Sequence, residues 1–125
     1  MSIHLSSGEW TLMNQLWEGP PQTITELTAA LKEKTGWGKH TIITMLSRLE
    51  AKGAVQHRED GRAKRYTPTL PREEAARSET ERFLSRVYRG SLGVMMSAMV
   101  ESHQLSEAEL AELSAILDKA GGAGQ

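Results

Sequence analysis

The sequence predicts a mainly α chain with a small β-hairpin, split into a first domain at residues 1–70 and a helical second domain at 71–125. Three observations predict it. Apolar residues recur at helical spacing in six segments, each bounded by a capping residue, Gly or Pro. One stretch, around Asp60-Gly61, alternates instead. The charge is divided unevenly: residues 1–70 hold nine Lys/Arg and seven Asp/Glu, and residues 71–125 hold six and nine.

Ser6 or Ser7 caps a first helix from about Gly8, with Trp10, Met13 and Trp17 as its stripe and Leu12 and Leu16 widening it. Gly19-Pro20-Pro21 ends it. Thr23-Ile24-Thr25-Glu26 is a capping box that opens a second helix whose apolar edge is Leu27 and Leu31, with Ala30 beside them. A third helix runs from Lys39 to Lys52 and stops at Gly53. Ile42, Met45, Leu46 and Leu49 form its inward stripe. His40, Ile43, Thr44 and Ser47 line the opposite face, with Arg48 and Lys52 beside them. That outer face is short and mostly uncharged, whereas solvent-facing helix positions usually carry Glu and Lys. It suits the major groove, where Thr and Ser can bond base edges and aliphatic carbon can meet the thymine methyl.

Two short alternating runs follow, from Val55 and up to Pro68, with Val55 and Tyr66 inward and Arg62, Lys64 and Arg65 at the tip and on the second strand. Residues 39–65 hold seven basic side chains against three acidic ones. Three helices and a basic hairpin in this order make a winged helix-turn-helix. The arrangement serves nucleic-acid binding, or alternatively protein–protein contact without DNA; binding to any duplex at low salt separates the two.

Pro71 takes the first position of a fourth helix, with Ala76, Thr80, Phe83, Leu84, Val87 and Tyr88 as its stripe and Gly90 as its end. Ser91 opens a fifth helix, to about residue 102, carrying Leu92, Met95, Met96, Met99 and Val100. Ser106 and Glu109 form a capping box and Leu105 and Leu110 a hydrophobic staple for a sixth, whose stripe is Leu110, Leu113, Ile116 and Leu117. Residues 121–125 read as a frayed tail. Three short amphipathic helices hold too little mass to enclose their own stripes, so a helical dimerisation domain is expected, completed by a second copy about a two-fold axis. The methionine run then serves as adaptable interface packing.

Several function classes fall away. The 125 residues include no cysteine, which excludes disulfides, thiolate metal sites and thiol nucleophiles. His4, His40, His57 and His103 show no metal spacing, and there is no Gly-rich phosphate loop or nucleophile elbow. The chain is therefore not read as an enzyme, and no metal or cofactor is expected. A small ligand on the C-terminal helices stays open. No run approaches about 18 apolar residues and no basic segment precedes an apolar core at the N-terminus, so a cytoplasmic protein without membrane insertion is expected.

The ordered set of motifs resembles the BlaI/MecI penicillinase repressor family over about residues 5 to 119. It is carried by Leu5-Ser6-Ser7-Gly8-Glu9-Trp10 with Met13 and Leu16-Trp17, by Thr41-Ile42 and Thr44-Met45-Leu46 with Arg48-Leu49 and Lys52-Gly53, and by Gly61-Arg62 with Tyr66-Thr67-Pro68. Phe83-Leu84, Tyr88, Gly90 and Leu92 match the dimerisation helices, and Leu105-Ser106, Glu109, Glu112-Leu113 and Ile116-Leu117 the last helix. The resemblance implies a bacterial homodimeric repressor that binds a palindromic operator. It also implies a regulatory protease as partner, in a β-lactam or other stress response. The family's cleaved bond, Asn-Phe, aligns with Ala98-Met99, the candidate cleavage position here. A copper-responsive branch uses paired C-terminal cysteines, which this chain lacks.

On that arrangement His40, Thr41, Ile43 and Thr44 are expected to read bases. Lys39, Ser47, Arg48, Arg62, Lys64 and Arg65 are expected to hold phosphates, joined by the free amides at the Thr23 helix start. The dimer contact is expected from Phe83, Leu84, Val87, Tyr88, Leu92, Met95, Met96, Met99, Leu110, Leu113, Ile116 and Leu117.

Overall fold

The computed structural model describes residues 3–123, with side chains through residue 121. The elements run α1 (Ser7–Trp17), β1 (Gln22–Thr23), α2 (Ile24–Thr35), α3 (Lys39–Lys52), β2 (Val55–Asp60), β3 (Ala63–Pro68), α4 (Arg72–Tyr88), α5 (Leu92–Glu101) and α6 (Glu107–Ala123). Two compact units result, Met1–Thr80 and Glu81–Gln125. The division falls inside α4, ten residues beyond the expected one at 70/71. The cause is the first turns of α4, where Ala75 and Ser78 are buried with the first unit. The expected inward positions Ala76 and Thr80 are exposed.

Caps set the helix starts as expected. The Ser6 hydroxyl accepts from the Glu9 amide at 3.2 Å while the Glu9 carboxylate accepts from the Ser6 amide at 2.8 Å. Thr23 and Glu26 repeat the box at 3.1 and 2.9 Å, and Ser106 and Glu109 at 3.1 and 2.9 Å. Gly36 and Gly53 close α2 and α3 in the left-handed region, at φ of 72° and 83°. Only α6 departs: the helix runs on through Gly121 to Ala123 where a frayed tail was expected, because glycine weakens a helix without removing an amide donor. Gly124 and Gln125 lie outside the described residues.

The core of the first unit joins Leu12, Met13 and Leu16 of α1, Leu27 and Leu31 of α2, and Ile42, Leu46 and Leu49 of α3 to Val55, Tyr66 and Leu70. Trp10 and Trp17, expected in the stripe, are only half-buried at its edge, as is Met45 on α3. Their rings sit 5.7 Å apart, and the Trp17 indole donates to the Leu70 carbonyl at 2.9 Å. The hairpin is longer than expected: Asp60 pairs Ala63, leaving Gly61-Arg62 as a two-residue loop with Gly61 at φ 67°. A third strand was not expected. β1 pairs β3 antiparallel, Gln22 with Tyr66 and Thr23 with Arg65, so the sheet order is β1-β3-β2.

One polar tie anchors α3 to α1. Glu9 is 3 % exposed, and its carboxylate accepts from Lys52 Nζ at 2.6 Å, while Lys52 also donates to the His4 carbonyl at 2.9 Å. Burial alone would raise the Glu9 pKa. The Lys52 hydrogen bond, the Ser6 amide and the Lys52 charge outweigh it and hold the carboxyl below its ordinary range. A depressed folded-state pKa contributes stability above the unfolded value, and that contribution is lost as pH falls through the folded one. Urea midpoints of the wild type are thus expected to fall below about pH 4. Glu9→Gln is expected to be less stable at neutral pH by ~1–3 kcal/mol, the half-exposed Lys52 keeping the figure low, and flatter across the acid range. Parallel pH profiles for the two proteins would assign the acid loss to other groups.

In the second unit Phe83 and Tyr88 meet edge-on at 5.8 Å, and the Ser91 hydroxyl caps α5 on the Val94 amide at 3.1 Å. Among the described residues from Glu81 onward, none is buried. No helix among the described residues is long and apolar enough to cross a membrane.

Candidate nucleic-acid interface

Three buried residues of α3 decide what its other side presents. With Ile42, Leu46 and Leu49 in the core, His40, Thr41, Ile43, Thr44, Ser47 and Arg48 are all left exposed. His40, Thr41, Thr44, Met45 and Arg48 line a shallow depression along that face. The four expected base-reading residues therefore share one outer surface, with Lys39 at its start and Ser47 and Arg48 further along.

The start of α3 is chemically unlike the starts of α1 and α2. Gly38 caps it without any side-chain hydrogen bond, and its first turn has no acidic residue. A carboxylate already sits at the other two starts. This open end was not singled out from sequence, although Trp37-Gly38-Lys39, with no Ser, Thr, Asp or Asn cap and no early Asp or Glu, carries the signal. At the Thr23 end the capping box takes up part of the amide set. The amides of Thr23 and Glu26 are satisfied within the box, and the Glu26 carboxyl is held ionised chiefly by the Thr23 amide, with Arg65 nearby.

The hairpin separates its cations into two kinds. Arg62 and Lys64 are exposed at the loop and on β3, and neither has an ion pair among the described residues. The same holds for Lys39 and Arg48. Arg65, expected to hold phosphate, is engaged inside the protein. Its Nε donates to Asp60 Oδ2 at 2.6 Å, and its Nη1 donates to Glu26 Oε1 at 3.2 Å and to the Pro21 carbonyl at 3.5 Å. The Asp60 hydrogen bond is foremost in raising its pKa further. Lys52, beside the outer face of α3, is likewise committed to Glu9.

A second side-chain pair links α3 to the hairpin. His57 Nδ1 lies 2.6 Å from Glu50 Oε2, and the imidazole rests 5.4 Å from the Tyr66 ring. Sequence inspection did not find this pair, since seven residues and an element boundary separate its members.

In the second unit, eight of the nine large exposed apolar residues of the described chain lie at or beyond Phe83. Phe83, Val87, Leu92, Leu110, Ile116 and Leu117 of the expected dimer set are among them, joined by Val94 and Val100, which were outside it. Leu84, Tyr88, Met95, Met96, Met99 and Leu113 are half-buried. The Ala98-Met99 bond lies within α5, where the Ala98 carbonyl accepts from Ser102 and the Met99 carbonyl from Gln104, at 3.1 and 3.0 Å. Among the described residues no His, Asp or Glu cluster has metal-binding geometry.

Comparison with known proteins agrees with this geometry. A family model described as "Penicillinase repressor" matches residues 5–119. The chain is similar to the penicillinase repressor of Bacillus licheniformis, 34 % identical over 92 % of this chain and 90 % of that one. It is similar to the solution structure of the DNA-binding domain of the repressor BlaI, at 32 % identity and TM-score 0.54 over 59 % of this chain and 93 % of that one. It is also similar to the monomeric Bacillus licheniformis BlaI bound to the blaP half-operator, at 32 % identity and TM-score 0.51 over 57 % and 87 %.

Proposed function

The chain belongs to the penicillinase repressor family, a family of DNA-binding transcriptional repressors rather than enzymes, and on that premise we propose that it represses transcription by binding a palindromic operator as a homodimer. The observation that carries the reading is the outer face of α3, where His40, Thr41, Ile43 and Thr44 lie exposed with Lys39 and Arg48, which have no ion pair among the described residues. These four residues read base edges in the major groove. Lys39, Ser47, Arg48, Arg62 and Lys64 hold phosphates, and the Lys and Arg side chains set the salt dependence. The solved complex of BlaI with the blaP half-operator, similar over the first unit, supports DNA as the ligand.

Each first unit takes one half-site, and the apolar surfaces of α4, α5 and α6 join two chains. Linking two weak half-site contacts raises effective concentration, so any event that separates the chains releases the operator. A regulatory protease acting at Ala98-Met99 is one such event, in a β-lactam or other stress response. It must first open the last turn of α5, because the Ala98 carbonyl accepts from the Ser102 amide and the Met99 carbonyl from the Gln104 amide at the helix cap. The protein acts in the cytoplasm, where its DNA is.

Selection of bound sites from random duplex DNA, with sedimentation of the complex, tests this. Two chains on a palindrome with half-site centres about one helical turn apart are expected. No enrichment at low salt would overturn the reading and leave a protein–protein module. On the selected duplex, Thr44→Ala is expected to relax discrimination by about 1–3 kcal/mol. Arg62→Ala is expected to weaken all duplexes alike and lower the salt slope by about 1. Identical behaviour of the two variants on selected and random DNA would refute the division of roles.

A further inference from the structure

We propose that Arg65 is a positioning residue of the wing: its guanidinium fixes the hairpin tip to the start of α2 so that Arg62 and Lys64 meet the DNA backbone. The inference rests on the reading of Arg62 and Lys64 as phosphate ligands. Arg65 is central to β3, pairing Arg58 on one side and Thr23 on the other. From there its fork reaches in two directions. Nε takes Asp60, the last residue of β2 before the Gly61-Arg62 loop. Nη1 takes Glu26, the residue that closes the α2 capping box on the Thr23 amide, and approaches the Pro21 carbonyl. One side chain thus bridges the hairpin tip, the α2 start and the turn before it.

An isolated two-stranded hairpin is marginally stable, and the tip of this one is the part with the least support. Beyond β1, which covers only Tyr66 and Arg65, the outer part of β3 has no second neighbour strand. The Asp60–Ala63 and Glu59–Lys64 pairs therefore depend on each other and on the Arg65–Asp60 bond. The fork has a second consequence. Arg65 pairs two carboxylates, Asp60 beside the Gly61-Arg62 loop and Glu26 at the start of α2, and so neutralises both without offering itself to the DNA. The planar guanidinium with its separated donors fits this double engagement; a lysine ammonium reaches one carboxylate at a time.

A direct phosphate ligand and a positioning residue respond differently to the same substitutions. The test is titration of the full chain with a random-sequence duplex at low salt, in the wild-type wing and in an Arg62→Ala/Lys64→Ala background, with thermal melting of each free protein to establish folding. Arg65→Gln and Arg65→Lys are expected to weaken binding similarly, about tenfold, in the wild-type wing, and by less than twofold where Arg62 and Lys64 are already gone. Recovery of wild-type affinity by Arg65→Lys would overturn the proposal, since a lysine can still hold a phosphate. So would an equal loss in both backgrounds. Either result leaves the wing reading standing. If Arg62→Ala/Lys64→Ala itself binds as the wild type does, the wing reading fails and this inference fails with it.

Discussion

Leu117→Glu is expected to turn a two-chain complex into single chains and to weaken operator binding by about 10²–10⁴-fold. Leu117 is 60 % exposed and its neighbour Ile116 55 %, so a single chain loses little packing when either changes. Burying the part still exposed against a second copy is worth roughly 1–2 kcal/mol per side chain. A two-fold contact presents each residue twice, so one substitution removes two apolar contacts and places two carboxylates in the interface. The first unit has a hydrophobic core of its own and is expected to keep its helices and its half-site affinity. Sedimentation of the free protein and titration of full and half operators measure all three quantities. Unchanged sedimentation would show that the copies meet elsewhere. Single chains that still hold the full operator at wild-type affinity would refute the coupling of half-sites.

The second large effect is in the core. Leu46→Ala is expected to cost about 2–5 kcal/mol, because Leu46 is wholly buried between α1, α2 and α3 and its loss leaves a cavity. For a unit of this size that lowers the melting temperature by on the order of 10–30 °C. Ser47 is the next residue, yet it lies on the exposed side. Ser47→Ala is expected to leave the melting temperature within about 3 °C, a change under about 0.5 kcal/mol, while weakening DNA binding and reducing its salt dependence only slightly. Adjacent substitutions on one helix, one acting on stability and the other on the ligand, would establish that α3 serves core and interface with opposite faces. A Leu46→Ala protein that melts with the wild type would mean that α3 is not seated as described.

Much of this was legible in residue order because it is governed by short-range physics. Ser6 with Glu9, Thr23 with Glu26 and Ser106 with Glu109 are contacts three residues apart, and each starts a helix where expected. The bounds of α3 follow from Gly53 and from a periodicity that points Ile42, Leu46 and Leu49 inward. The same periodicity fixes the outer face, so His40, Thr41, Ile43 and Thr44 could be named together. The apolar surplus of the second unit was visible as stripes with nothing to enclose them, and none of its described residues is buried.

What sequence order alone determined, then, is the helices, the hairpin, the exposed face of α3 and the apolar surplus of the second unit. Each of these is fixed by neighbours within one or two turns or by the balance of apolar residues in a segment. The tertiary structure decided which cations are engaged by a carboxylate. Arg62, Lys64 and Arg65 look alike along the chain, but Glu26 is brought to Arg65 from 39 residues away and Glu9 to Lys52 from 43. It also decided the third strand, since Gln22 and Thr23 have no strand pattern of their own and are extended only because β3 offers its open edge. A charge keeps its sign wherever the chain puts it; whether it is available to a phosphate depends on which carboxylate the fold places beside it.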